Sequence, residues 1–278
     1  MIVLLKKIIY LLIFAVISFS IYAAFVNVYS DYQFEQDVNS LQSEYSLNDN
    51  FSITNPNSIS IPAPLRRYVQ YSLPANRNLS TYVRVEYSGK YRQEKYGEMY
   101  DFNVKTVYNL KNGEFVSEWT IYENRIIFNK LKEVLLDDKV IYQYKKLGVK
   151  AEKVVEGEKA RLFLQSRMMI DAVYFPYYYL GNSNLRLNPA GGNRTLVEFM
   201  SGSEKINFTF EFNEDNSLES ISSSQFVFGS DRAALSASYD NYINFNGFMI
   251  PNSIVVKIEH NFDEYILYEA QLDNINYQ

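Results

Sequence analysis

The chain of 278 residues has no cysteine. That excludes disulfides, thiolate nucleophiles, thiolate metal sites and the lipid-modified N-terminus of bacterial lipoproteins. It leaves the compartment open, because an oxidising compartment permits disulfides without requiring them. Histidine occurs once, at His260, so His-rich metal sites are excluded and one candidate is left for a Ser-His-Asp arrangement. No G-x-S-x-G surrounds any serine, and His260, at the end of a strand beside a turn, reads as a surface residue. Glycine and proline are sparse, 11 and 7. Gly191-Gly192 is followed by neither Lys-Ser nor a helical pattern, so no phosphate-cradling loop is present. Glu214 and Asp215 lack the rest of a calcium loop and read as turn chemistry. A carboxylate pair assembled by folding leaves no local signature. With a net charge of −5 and no basic cluster, the chain is a poor nucleic-acid binder. The sequence implies no metal and no cofactor.

Aromatic residues are what it has in abundance, 25 Tyr and 19 Phe, a composition suited to sheets with broad aromatic faces rather than to disorder. Lys6 and Lys7 precede an uncharged, mostly apolar run over residues 8–26, about 28 Å as a helix and just long enough to span a bilayer. The lysines then stay cytoplasmic and the remainder is translocated. Residues 1–28 therefore read as a membrane anchor, with a cleavable signal peptide as the rival, since Ser18-Phe19-Ser20 has small residues suitably spaced for cleavage. Residues 29–60, rich in Asn, Ser, Gln and Asp, read as a polar tether. It is helical in part, with Phe34, Val38, Leu41 and Tyr45 on one side. Residues 61–278 remain for the folded domain.

Pro64 suits the first turn of a short helix and Pro74 its exit, with Leu65, Tyr68, Val69 and Leu73 inward and Arg66 and Arg67 solvated. Gly157 opens a second helix. Leu162, Leu164, Met168, Met169, Ala172 and Val173 form its apolar stripe, and Glu158, Lys159, Arg161, Gln165 and Arg167 the other face. Pro176 ends it near Tyr174, and a non-helical aromatic run continues to Leu180. This stretch is the one strongly apolar helix after the N-terminus, and the chain is organised around it.

Everything else alternates with a period of two. Strands are expected around Val83–Ser88, Asp101–Leu110, Glu114–Tyr122, Arg125–Leu135, Lys139–Lys145, Lys205–Phe212, Leu218–Phe228, Ala234–Phe245, Ile250–His260 and Tyr265–Tyr277. Asn112-Gly113 and Asn246-Gly247 are hairpin signals. The serines of 220–224 suggest an exposed stretch. Ten or eleven antiparallel strands normally curl or close.

The block Ile61-Pro62-Ala63-Pro64-Leu65-Arg66-Arg67-Tyr68, followed by Leu73-Pro74, resembles the opening L-P-x-P-V-x-R-Y of an uncharacterised bacterial family of unknown function. Met169-Ile170-Asp171-Ala172-Val173-Tyr174-Phe175-Pro176 is similar to that family's L-x-E-x-x-W-x-P, with Asp171 for the glutamate and Tyr174 for the tryptophan. Tyr239-Asp240-Asn241-Tyr242 before Gly247-Phe248-Met249-Ile250-Pro251 resembles both that family and the lipoprotein carriers LolA and LolB. The resemblance implies a mainly β (α+β) fold, a large curved antiparallel sheet or half-barrel with helices on its concave side. In the carriers that shape holds acyl chains.

An aromatic concave face and a Met-bearing helix together offer an adaptable apolar cavity. Met168, Met169, Tyr174, Phe175, Phe208 and Phe210 are its candidate lining, with Asp171 placed to orient a headgroup or to pair with an arginine. Two functions follow. The first is a non-catalytic extracytoplasmic module, single-pass in the bacterial inner membrane or free after cleavage, that binds a lipid, lipoprotein or other hydrophobic ligand. The second is a structural or protein-interaction domain with a solid core.

Overall fold

In the computed structural model, which describes residues 2–43, 51, 60–73, 79–93, 95–124, 127–148, 150–202, 204–228, 231–260 and 263–278, hairpin follows hairpin on either side of one buried helical segment. Helices α1 (Ile2–Ser43) and α2 (Ala63–Ser72) come first. Six strands follow: β1 (Tyr82–Tyr91), β2 (Tyr100–Asn109), β3 (Glu114–Tyr122), β4 (Phe128–Leu135), β5 (Val140–Lys146) and β6 (Lys150–Glu156). Helix α3 (Glu158–Asp171), a 3-10 turn (Ala172–Tyr174) and the single turn α4 (Tyr178–Gly181) interrupt them. Seven more strands complete the chain: β7 (Leu185–Pro189), β8 (Arg194–Ser201), β9 (Glu204–Phe212), β10 (Leu218–Phe228), β11 (Asp231–Phe245), β12 (Phe248–His260) and β13 (Asp263–Tyr277).

These thirteen strands form one sheet in the order β6-β5-β4-β3-β2-β1-β13-β12-β11-β10-β9-β8-β7. Each neighbouring pair is antiparallel. Two meanders thus meet at β1 and β13. The strands on either side of α3, β6 and β7, lie at opposite edges, so the α3–α4 segment crosses from one edge to the other. The sheet curves round this segment, whose residues 166–180 are buried on its concave side. The main core contains α3, α2 and the inward side chains of both meanders.

A second, smaller core lies on the convex face. There the polar half of α1 lays Phe34, Val38 and Leu41 on Tyr82, Val107, Val116, Val134 and Leu136. Val107, Val116 and Val134 alternate with Tyr108, Phe115 and Leu135 of the concave core, as the two-residue period of a strand requires. Where a polar tether, helical in part, is expected, α1 continues unbroken to Ser43 and packs down with Phe34, Val38 and Leu41 on the expected side; Tyr45 lies outside the described residues. Salt bridges fasten it, Asp31 to Lys105, Asp37 to Lys132 and to Lys139, and Phe34 sits under the Lys105 ammonium, 4.6 Å from its ring centre. Over Leu4–Gln42 this helix is long and apolar enough, by length and composition, to cross a membrane.

Several expectations need correction. Three strands, β6, β7 and β8, are not among those expected. In β8 the inward residues are Thr195, Val197, Phe199 and Ser201, while Leu196 and Met200 face outward, so the apolar contrast that betrays a strand is blurred. Arg167, assigned to the wet face of α3, is buried. The aromatic run expected to be non-helical contains the helical turn α4. Among the serines of β10, Ser222 and Ser224 are exposed but Ser223 points inward. The α2 helix forms as expected, though its exit at Pro74 lies outside the described residues; Arg67 donates to Asn193 and Asn216, both at 3.0 Å. Asn246 and Gly247 both have positive φ, 54° and 90°, whereas of Asn112-Gly113 only Gly113 does, at 70°.

Candidate functional site

The concave face is built from the α3–α4 segment upward. From Ser166 to Leu180 every residue is buried, so this part of the helix has no wet side. A buried helix end leaves carbonyls without intrahelical partners, and an unpaired buried carbonyl is costly. Tyrosine resolves this. The hydroxyls of Tyr179 and Tyr239 donate to the carbonyls of Met169 and Ile170, each at 3.0 Å. Tyr68 donates to Val173 at 3.3 Å and Tyr277 to Tyr174 at 2.7 Å. Four elements, α2, α4, β11 and β13, thereby cap one helix end. Each supplies an apolar ring to the core and one donor at its tip.

Deeper in the same face lies an ionic cluster. Arg167 bridges Glu133 of β4, donates to the hydroxyl of Tyr87, and lies 3.2 Å from Asp171 one helical turn on. Trp119 donates its indole N–H to Glu133 at 2.8 Å, and the guanidinium stands 4.5 Å above the Trp119 ring. Tyr108 donates to Asp171 at 2.5 Å. Burial opposes the charge on Arg167, but Glu133, Tyr87 and Asp171 more than offset it and hold the guanidinium protonated. Burial pushes the Asp171 carboxyl up from its ordinary value, with Arg167 and Tyr108 pulling against it. One cation facing two carboxylates leaves an excess negative charge, and the upward shift of Asp171 is in the direction that relieves it. Among the described residues, Arg167 Nε, Asp171 Oδ1 and the Tyr174 hydroxyl have no hydrogen-bond partner.

The seven predicted site residues are all buried. Met168, Met169, Asp171, Tyr174, Phe175, Phe208 and Phe210 are each at most 1 % exposed, and the six apolar ones belong to the one concave core. Phe210 packs on Tyr179 and Phe175 on Tyr108, with ring centres 5.0 and 4.7 Å apart. Sequence reasoning missed Arg167, Glu133 and Trp119. The i,i+4 spacing of Arg167 and Asp171 was the available signal for the first; Glu133, on a strand distant in sequence, offered none. A groove of about 360 Å³ opens where α4 meets the edge strand β7, lined by Ile61, Tyr179, Leu180, Leu185 and Leu187 among others. Tyr179 and Leu180 belong to both the groove and the core. Among the described residues no cluster of His, Cys, Asp or Glu could hold a metal ion.

Comparison with known proteins adds the following. A family of unknown function (DUF6544) matches residues 51–269. No curated protein matches the chain. Similar solved structures include a LolA superfamily protein from Nitrosomonas europaea, 10 % identical, with a TM-score of 0.43 over 80 % of this chain and 94 % of that one. Another is a putative outer membrane lipoprotein-sorting protein domain from Vibrio parahaemolyticus, 9 % identical, with a TM-score of 0.41 over 71 % and 85 %.

Proposed function

The chain belongs to the DUF6544 family, whose function is unknown, and from the geometry of the concave face we propose that it is a membrane-anchored, extracytoplasmic binding module for a lipid or other acyl-bearing ligand. The observation that carries this reading is the α3–α4 segment itself. It is an apolar strap of Met and aromatic side chains laid across a curved sheet, with a groove at one end that leads to its Tyr179 and Leu180. An acyl chain entering from that groove takes over the contacts of this strap. Met168 and Met169 adapt to it, and Tyr174, Phe175, Phe208 and Phe210 line it. A polar end finds Asp171 Oδ1, Arg167 Nε and the Tyr174 hydroxyl, which have no hydrogen-bond partner among the described residues. The exposed apolar half of α1 serves as the anchor through residues 8–26, with the domain on the far side from Lys6 and Lys7.

The second reading, an interaction domain with a solid core, draws on the near-complete burial of the same seven residues. Trp119, the only tryptophan, separates the two because it stands inside the concave face. Residues 27–278 are titrated with a fluorescent polyene fatty acid, following energy transfer from Trp119. Saturable transfer, weakened about tenfold or more by Leu187→Arg at the groove with no loss of thermal stability, is the expected result. Absence of transfer at saturating probe rejects the binding module and leaves the solid-core domain.

A further inference from the structure

The two ends of the sheet differ. Strand register assigns each turn to one end or the other. Tyr82, opposite Asn109, and Tyr277, opposite Val83, lie at the end where Leu41 of α1 packs. The β1–β2, β3–β4 and β5–β6 turns lie at the other. The pairing of His260 with Asp263 puts the end of β12 and the start of β13 there too. It is at this second end that α1 leaves the domain. The Tyr22 hydroxyl donates to the Leu147 carbonyl at 3.1 Å. Val26 rests on Gly148 so closely that an added Cβ would stand 2.3 Å from its Cγ1. Tyr22 and Val26 are also the last turns of the apolar run, upstream of which Leu11 and Phe14 are 70 and 71 % exposed. A span ending at Tyr22 and Val26 therefore brings the β5–β6 turn, and the rim it belongs to, to the boundary between lipid and water.

The chemistry of that rim suits the boundary. Lys145 and Lys146 close β5, in a chain that is net acidic. Burial and the nearby Lys132 press the Lys145 ammonium toward losing its proton, a tension that an anionic partner relieves. Tyr96, in the β1–β2 turn, is 89 % exposed, more than any other large hydrophobic residue among those described. The Lys95 ammonium lies 4.5 Å from its ring centre, held on its other side by Asp263. Tyrosine with neighbouring lysine is the pairing that settles at headgroup depth, ring inward and ammonium toward phosphate.

We propose that this rim is a docking surface for anionic phospholipid headgroups, engaged by Lys145, Lys146 and Tyr96, which seats the sheet upright on the bilayer from which α1 emerges. The proposal rests on the reading of α1 as a membrane anchor. Each basic residue near such a surface contributes an attraction that fades within a Debye length, so the seat depends on both lipid charge and salt.

The absence of cysteine makes the test direct. Single cysteines replacing Tyr10, Tyr96, Lys146 or Ile243 in the full chain carry a nitroxide, in nanodiscs of phosphatidylglycerol with phosphatidylethanolamine or of phosphatidylcholine alone. Collision with oxygen and with a water-soluble nickel chelate reports depth. In anionic discs the label at 10 is expected in the bilayer core and those at 96 and 146 at the headgroups. The label at 243, at the far end of β11, is expected in water. Lys145→Glu with Lys146→Glu should raise nickel access at 96 several-fold. If 96 and 146 are as wet as 243 while 10 is in the core, the docking surface is wrong and the anchor stands. If 10 itself is wet, the anchor reading fails and the proposal with it. Equal depth at 96 in phosphatidylcholine would overturn recognition of anionic headgroups.

Discussion

The Tyr239 hydroxyl donates to the Ile170 carbonyl at 3.0 Å across the concave core, joining the C-terminal meander to the end of α3. Replacing Tyr239 by Phe keeps the ring and leaves that carbonyl buried without its tyrosine. The expected cost is about 1–3 kcal/mol, a fall in Tm of roughly 2–4 °C for each kcal/mol in a domain of this size. A thermal melt monitored by circular dichroism measures it. An unchanged Tm would mean that packing alone holds the helix end.

The Arg167 cluster predicts a non-additive series. Arg167→Met strands Glu133 and Asp171 as buried carboxylates, and the loss should be about 3–5 kcal/mol. Adding Glu133→Gln and Asp171→Asn removes the stranded charge and should recover more than half of it. Urea unfolding of the three proteins decides the matter: equal instability of the single and triple variants would show that Arg167 contributes shape rather than charge.

Alkaline pH provides a third test. Burial raises the hydroxyls of Tyr87, Tyr108, Tyr174, Tyr179 and Tyr239 well above their ordinary value near 10. Below that value neither the folded nor the unfolded chain loses these protons, and their contribution to stability is fully present. Above it the unfolded chain ionises while the folded one does not, so stability falls steadily as pH rises. Tyrosinate absorbance should therefore appear in two phases. A gradual one comes from exposed tyrosines, and an abrupt one coincides with loss of the circular dichroism signal. A single smooth titration would contradict the burial of these hydroxyls.

The convex face is tested by Phe34→Ala. Phe34 is 2 % exposed in the smaller core, and the truncation should cost about 3–5 kcal/mol locally. Hydrogen exchange of the full chain in nanodiscs should show faster exchange over residues 30–43, with α3 unaffected. Uniform protection would mean that the salt bridges to Lys105, Lys132 and Lys139 suffice.

Much of this architecture can be read from residue order. Strict alternation in β9, with Ile206, Phe208, Phe210 and Phe212 inward, and Pro176 after the helix announce themselves locally. So does the burial of Met168, Met169 and Phe208 in one core, because apolar stripes must be covered. Arg167 was misread because helical spacing tells which residues share a face but not whether that face is wet. A helix buried all round carries its charge inward whenever carboxylates such as Glu133 await it. The docking of α1 on the sheet is hard to read from the sequence for a related reason. Its polar residues, Asp31 and Asp37, pair with lysines of β2 and β4 and of the β4–β5 turn that no local pattern connects to them.

The meeting of β1 with β13 has a consequence for biosynthesis. The strand that completes the middle of the sheet is the last of the thirteen to leave the ribosome, so β1 waits with one row of backbone donors and acceptors unpaired while every other strand is made. Such an edge invites pairing with a neighbouring nascent chain, and a contact this distant in sequence closes slowly. A message broken shortly before residue 263 would yield a protein with nearly all its residues and an open seam along its centre, a substrate for proteolysis rather than a slightly shortened domain.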